Sequence, residues 1–401
     1  MRLRVAFALL MAAAGSFAAD PAVPLNEAGI RELSLGHADG ARKAFEEALE
    51  EHPDALVLRR NLAAALACCG EERLRDRDVG EALRLLERAT RLHPSRIAYR
   101  VLLARARLAG GDDGLREAAR ADLELALAGD PDHLEALEGL ARIAYVDRDL
   151  DAAIVRWRRA SELRPGDAGI LRSLADAERE RQVEASFVEI PGPFFRLRYS
   201  PGIAPDRAQA VLVLCEEARG RLGALYGTYP PRIVVTLYTP AEFRNVTALH
   251  GWVKGVSDGT IRLSLGSRDD PGRLAGTIVH EMTHHVIRAI APGAPVWLHE
   301  GLAQIEEGRS AEEAAARLRD AGELPDTLLS AAILAEGDPR RVAVFYDTAL
   351  AFARYLDDGQ RGALLRLLRE LGAGKGEAEA FRDVFGESRE TLFEKWRAGL
   401  R

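Results

Sequence analysis

Residues 276–290 read GTIVHEMTHHVIRAI, and they decide how the C-terminal half is understood. The stretch is apolar at helical spacing, so it predicts a helix, and His280 and His284 stand on adjacent turns of one face. Imidazole nitrogens placed that way can meet one Zn2+ at about 2.0–2.1 Å, with Glu281 between them turned toward the attacking water. Glu281 is then the general base that takes the proton. A string this short also arises by chance, and a histidine pair can simply decorate a helix. The pattern therefore needs a third ligand.

Residues 297–304 read WLHEGLAQ, with Glu300 sixteen residues past His284, after a turn built from Pro292, Gly293 and Pro295. Those residues end one helix and start another, which can cross back over the first and bring Glu300 to the same metal. Together the two segments resemble the gluzincin clan of peptidases, in particular the peptidase MA-like group, where HExxH is followed by a W-x-x-E-G-x-A helix. The likeness runs from about residue 194 onward. It implies an α+β zinc metallopeptidase domain with His280, His284 and Glu300 as metal ligands, Glu281 as base, and a peptide or protein substrate whose peptide bonds are hydrolysed. In many gluzincins the residue four past the ligand glutamate is acidic and orients a ligand histidine. Here that position is Gln304, whose amide oxygen can accept an imidazole N–H only without charge. The resemblance also implies that Tyr346, in the helical segment 342–356, donates to the oxyanion of the tetrahedral intermediate. Packing against Phe345 in a helical core is an equal reading of Tyr346. His285 and His299 lie about 100° around their helices from a proposed ligand and should face elsewhere. Residues 261–265 precede the metal helix as the active-site edge strand does in this clan, and a peptide could pair with it by strand addition. His250, Trp252 and Lys254 read as an ordinary loop beside it.

Upstream, composition changes at residues 190–193, IPGP, which mark a domain boundary. Beyond it, residues 194–199, 233–238 and 260–265 read as strands and 205–226 as a helix; after residue 272 the pattern is helical almost to the end. Strands first and helices after give an α+β domain over 190–401. Before the boundary the chain repeats itself. Pro53, Pro94, Pro131 and Pro165 each follow a small-large-small set: Ala41, Phe45 and Ala48; Ala82, Leu86 and Ala89; Ala119, Leu123 and Ala126; Ala153, Trp157 and Ala160. This register resembles the tetratricopeptide (TPR) repeat. The last two prolines are 34 residues apart, the ideal period, and the earlier intervals are longer, with extra residues such as 71–77 placed between paired helices. Small alanines let antiparallel helices approach, while Phe45 or Trp157 fills the gap to the next pair. A last helix over 169–183 caps the array. Residues 22–185 thus read as an all-α solenoid with a surface for a protein partner.

The chain has 401 residues, 47% of them hydrophobic, which suits two domains. Its net charge of −7 is spread along the whole length without a basic block, which argues against a nucleic-acid partner. Residues 1–18 combine Arg2 and Arg4, an apolar run and the small residues Ser16 and Ala18, the pattern of a signal peptide. The protein is therefore expected to be exported, periplasmic or extracellular, with no membrane span after the signal. Cys68, Cys69 and Cys215 do not form a disulfide framework. A catalytically inactive scaffold, in which the solenoid assembles proteins and the peptidase fold is kept without turnover, is the alternative reading.

Overall fold

The structure is a computed structural model, and it describes residues 21–76, 78–110, 113–230, 232–247, 255–257, 260–266, 269, 271–320, 338–359 and 362–400. The signal-like residues 1–18, and His250, Trp252 and Lys254, lie outside the described residues. The chain forms two compact units: residues up to 109 with 115–136, and residues 110–114 with 137 onward. The boundary falls inside a helix, so the unit that holds the sheet also takes in helices upstream of residues 190–193.

The first unit is built from α1 (Ala22–Leu35), α2 (Ala38–Glu51), α3 (Leu56–Arg75), α4 (Val79–Leu92), α5 (Ile97–Gly110) and α6 (Asp113–Gly129). These are helix pairs, an N-terminal all-α repeat region. The prolines at 53, 94 and 131 follow the second helix of each pair because a proline cannot extend it. All nine anchor residues of these three pairs are at most 1% exposed. The large residue of the pattern packs on its own pair and shares one apolar cluster with the helix that follows, Phe45 with Leu62 and Leu66, Leu86 with Leu102 and Leu103. A Cβ on Gly29 of α1 would stand 2.6 Å from the Phe45 ring, and one on Gly70 of α3 would stand 2.6 Å from Leu86. Glycine on the first helix thus makes the room that the large side chain fills. The extra residues 71–75 do not form a connection between helices but lengthen α3, with Arg77 outside the described residues.

The second unit opens with α7 (Leu134–Val146), α8 (Leu150–Leu163) and α9 (Ala168–Glu184), where Ala153, Trp157 and Ala160 are again buried. The sheet follows: β1 (Val188–Pro191), β2 (Phe195–Tyr199), β3 (Ile233–Tyr238), β4 (Gly255–Ser257) and β5 (Ile261–Ser264), in the order β1-β2-β3-β5-β4. The three central strands are parallel and the two outer ones antiparallel to their neighbours. Residues 261–264 are therefore not the edge strand. They sit between β3 and β4, fully buried, and the edge belongs to β4, whose three residues are too few to show an alternating pattern in the sequence.

Alternation along the strands sorts the two faces of the sheet. Phe195, Leu197, Val235, Leu237, Ile261 and Leu263 join the main apolar core with α10 (Pro205–Tyr226) and α12 (Pro271–Ile290). On the other face Arg198, Tyr238 and Arg262 meet α9. Arg148, at the α7–α8 turn, bonds Glu180 and Glu184 of α9; Arg262 reaches Glu180 at 2.7 Å and Arg198 reaches Glu184 at 2.5 Å. The hydroxyls of Tyr145 and Tyr238 donate to the same two carboxylates. Also on this face, Tyr238 packs with Phe243 of α11 (Pro240–Thr247).

Candidate metal centre

Helix α12, which carries His280 and His284, divides its faces as the sequence dictates. Ile278, Met282 and Val286 recur every four residues and are fully buried in the core. His280 and His284 follow two residues later, about 200° around the helix, and so point away from that core. Residues 291–295 end α12 and lead into α13 (Val296–Glu307), which packs back along it. Trp297 anchors α13: it is fully buried against Phe352 and Phe381, and its indole N–H donates to Glu377 at 3.1 Å. The described helices after it are α14 (Ala311–Asp320), α15 (Pro339–Gly359), α16 (Ala363–Gly372), α17 (Glu377–Phe385) and α18 (Arg389–Leu400). Gly301 lets α13 press on α15, because a Cβ there would lie 2.6 Å from the Ala349 carbonyl oxygen and 2.7 Å from the Ala353 Cβ. The W-x-x-E-G spacing is thus a packing requirement that turns Glu300 toward α12.

The structure brings His280, His284 and Glu300 together, each offering one donor atom, with all three atoms within 4.8 Å of one another. His280 Nε2 is 3.5 Å from Glu300 Oε2, and His284 Nε2 is 3.7 Å from Glu300 Oε1. Two imidazoles and a carboxylate are a donor set that suits Zn2+. Glu300 Oε2 is buried and makes no hydrogen bond, since His280 Nε2 stands at the outer limit of bonding distance. A carboxylate with one buried, unsatisfied oxygen beside His280 and the other oxygen beside His284 fits a divalent cation.

The groups at this point act on one another electrostatically. Burial works against a charged His280, but Glu300 and Glu307 outweigh it and raise its pKa to about 10. Burial, then the His280 charge, holds His284 well below its usual range, and burial followed by Arg288 lowers His299 to about 3. Glu281 is only 7% exposed, and burial raises it to about 7 against the opposing pull of His280. A cation at this point would bring its own charge to every one of these groups.

Other predicted residues fall as follows. Tyr346 lies on α15, half-buried beside Phe345 at 5.9 Å between ring centroids. Burial first, then the negative charges of Glu300 and Glu281, raises its hydroxyl pKa, so the phenol lies within electrostatic reach of the centre. Gln304 does not take a histidine N–H. Its amide nitrogen donates to the Glu300 carbonyl at 3.1 Å and the Tyr346 carbonyl at 2.9 Å, pinning α13 to α15. Instead Glu307 stands 3.1 Å from His280 Nδ1. Glu307 is seven residues past Glu300, about 20° from it around the helix, and that shared stripe was the available signal. His299 faces inward more than expected, with its ring 5.6 Å from that of His284. Nothing in the sequence marks it. His285 is half-buried and outside the converging set.

With both amide protons aimed at carbonyls and the residue 1% exposed, Gln304 has little room for charge. Gln304→Glu is expected to destabilise the fold by about 1–3 kcal/mol, read by urea unfolding, and not to tighten zinc binding. Tighter binding in that variant would return Gln304 to the role of histidine partner.

No family model matches the chain. No curated protein matches it either. Among solved structures, one crystal structure of MamA is 18% identical, spanning 38% of this chain and 84% of its own at a TM-score of 0.31. A second MamA structure is 16% identical over 42% of this chain and 98% of its own, at 0.32. TTC0263, a thermophilic TPR protein of Thermus thermophilus, is 22% identical over 39% and 98%, at 0.24. With TM-scores below 0.5, these likenesses leave the repeat reading to rest on the helix pairs themselves.

Proposed function

We propose that this chain is a zinc-dependent metallopeptidase, with the convergence of His280, His284 and Glu300 on one point as the observation that carries the reading. Those three side chains would hold the ion. Zinc, when bound, supplies a Lewis acid that polarises the scissile carbonyl and acidifies a water. Glu281, next to His280 on the same helix and buried, takes the proton from the attacking water and delivers it to the leaving amine. Tyr346, half-buried on α15, is proposed as the donor for the developing oxyanion. The substrate is a peptide or protein, the helical repeats dock it or a protein partner, and the protein acts after export.

Metal analysis of the purified full chain tests this. One zinc per chain, with peptide hydrolysis lost to a chelator and restored by zinc, is the expected result. His284→Ala and Glu300→Ala should each lower zinc occupancy, because either removes one of three protein ligands. Stoichiometric zinc in the Glu300 variant would mean that the third ligand is another residue.

The second reading, a scaffold that assembles proteins without turnover, is favoured by the N-terminal helix-pair repeats, whose anchors are buried. A full-length protein that takes up no zinc selects this reading over the enzyme.

A further inference from the structure

An imidazole that binds a metal through Nε2 carries its hydrogen on Nδ1, and a fixed acceptor for that hydrogen sets both the ring's orientation and its basicity. His280 has its Nε2 on the Glu300 side and its Nδ1 3.1 Å from Glu307 Oε2. Glu307 is itself held. Arg309 Nε donates to the same Oε2 at 2.9 Å, and the outer nitrogen Nη2 approaches Oε1 at 3.5 Å.

The backbone explains the arrangement. Gly308 ends α13 in the left-handed conformation, φ 87°, and the Arg309 N–H returns to the Gln304 carbonyl at 3.0 Å. That reversal folds Arg309 back over Glu307. The Glu307 side chain is 19% exposed, so its charge is only weakly screened. Gln304, one turn earlier, has its amide committed to two backbone carbonyls.

We infer that Glu307, braced by Arg309, is the positioning residue for His280: it receives the Nδ1 hydrogen and aims Nε2 at the metal point. This rests on the zinc reading above. The orienting carboxylate has thereby moved from the position four past Glu300 to the position seven past it, on the next turn of the same stripe.

Zinc affinity of the full chain, measured by competition with a chromophoric chelator after stripping the metal, tests the assignment. Glu307→Ala should weaken zinc binding by about 10–100-fold, and Glu307→Gln toward the lower end of that range, because an amide oxygen still accepts the N–H but without charge. With Co2+ as the probe, the visible absorption band of Glu307→Ala should shift, a change in ligand field that loss of a remote packing contact would not produce. If wild type binds zinc and Glu307→Ala binds it equally well with an unshifted cobalt band, Glu307 does not position His280. Should Glu307→Ala fail to fold, unchanged affinity in the isosteric Glu307→Gln overturns the assignment. A wild-type chain that binds no zinc at all instead removes the metallopeptidase reading itself.

Discussion

Glu281→Gln is expected to keep its zinc and its fold while kcat falls by about 10²–10⁴-fold, the range that one positioned general base contributes. The substitution changes no volume and removes no metal ligand, since His280, His284 and Glu300 are the converging donors. An amide cannot take the proton of the attacking water. The neutral side chain is not expected to weaken the fold, because burial already disfavours the Glu281 carboxylate and raises its pKa to about 7. Loss of turnover with stoichiometric metal and an undiminished melting temperature is therefore the signature of a lost base. The three quantities need to be measured on one preparation with a peptide substrate. Turnover equal to wild type would remove Glu281 from the mechanism.

What the sequence disclosed follows from how local the governing physics is. The repeat anchors were legible because proline and alanine act on their own helix and its immediate partner, and Ala41, Phe45, Ala82 and Leu86 are all buried at their expected places. Two histidines four apart define a helix face without any knowledge of the rest of the fold. The third donor needed only a turn and a second helix. Side-chain pairing was less legible. Gln304 and Glu307 both lie near the stripe of Glu300, and only the packing of α13 on α15 shows that Gln304 is committed to the Tyr346 carbonyl. The strand order was hidden by β4, where three residues carry the whole edge. Least legible was the ion cluster. Arg148, Glu180 and Glu184 look like solvated helix charges in sequence, yet the side chains of all three are 1% exposed.

That cluster makes Arg148→Ala the substitution with the largest expected cost in stability, about 3–5 kcal/mol, because it removes two buried charge-assisted hydrogen bonds and leaves the two carboxylates one guanidinium poorer. The guanidinium bonds both Glu180 and Glu184. Its loss leaves Glu180 with Arg262 and Tyr145, and Glu184 with Arg198 and Tyr238. Solvent gives little relief at 1% exposure. Backbone strain is a separate contribution that has to be removed from the comparison. Arg148 has φ 63°, in the left-handed region, and it is the only non-glycine residue with positive φ among those described. Alanine keeps that strain, whereas glycine relieves about 1–2 kcal/mol of it. Urea unfolding of both variants separates the two effects. If the guanidinium holds the cluster, Arg148→Gly remains well below wild type and within about 1–2 kcal/mol of Arg148→Ala. If Arg148→Ala, which keeps the strain, is as stable as wild type, the ion pairs add nothing net to the fold. The result bears on function through the sheet. Arg262 lies on β5 in register with Val256 of the edge strand β4, and β4 packs against α12, so α9 and the candidate centre are joined through two strands.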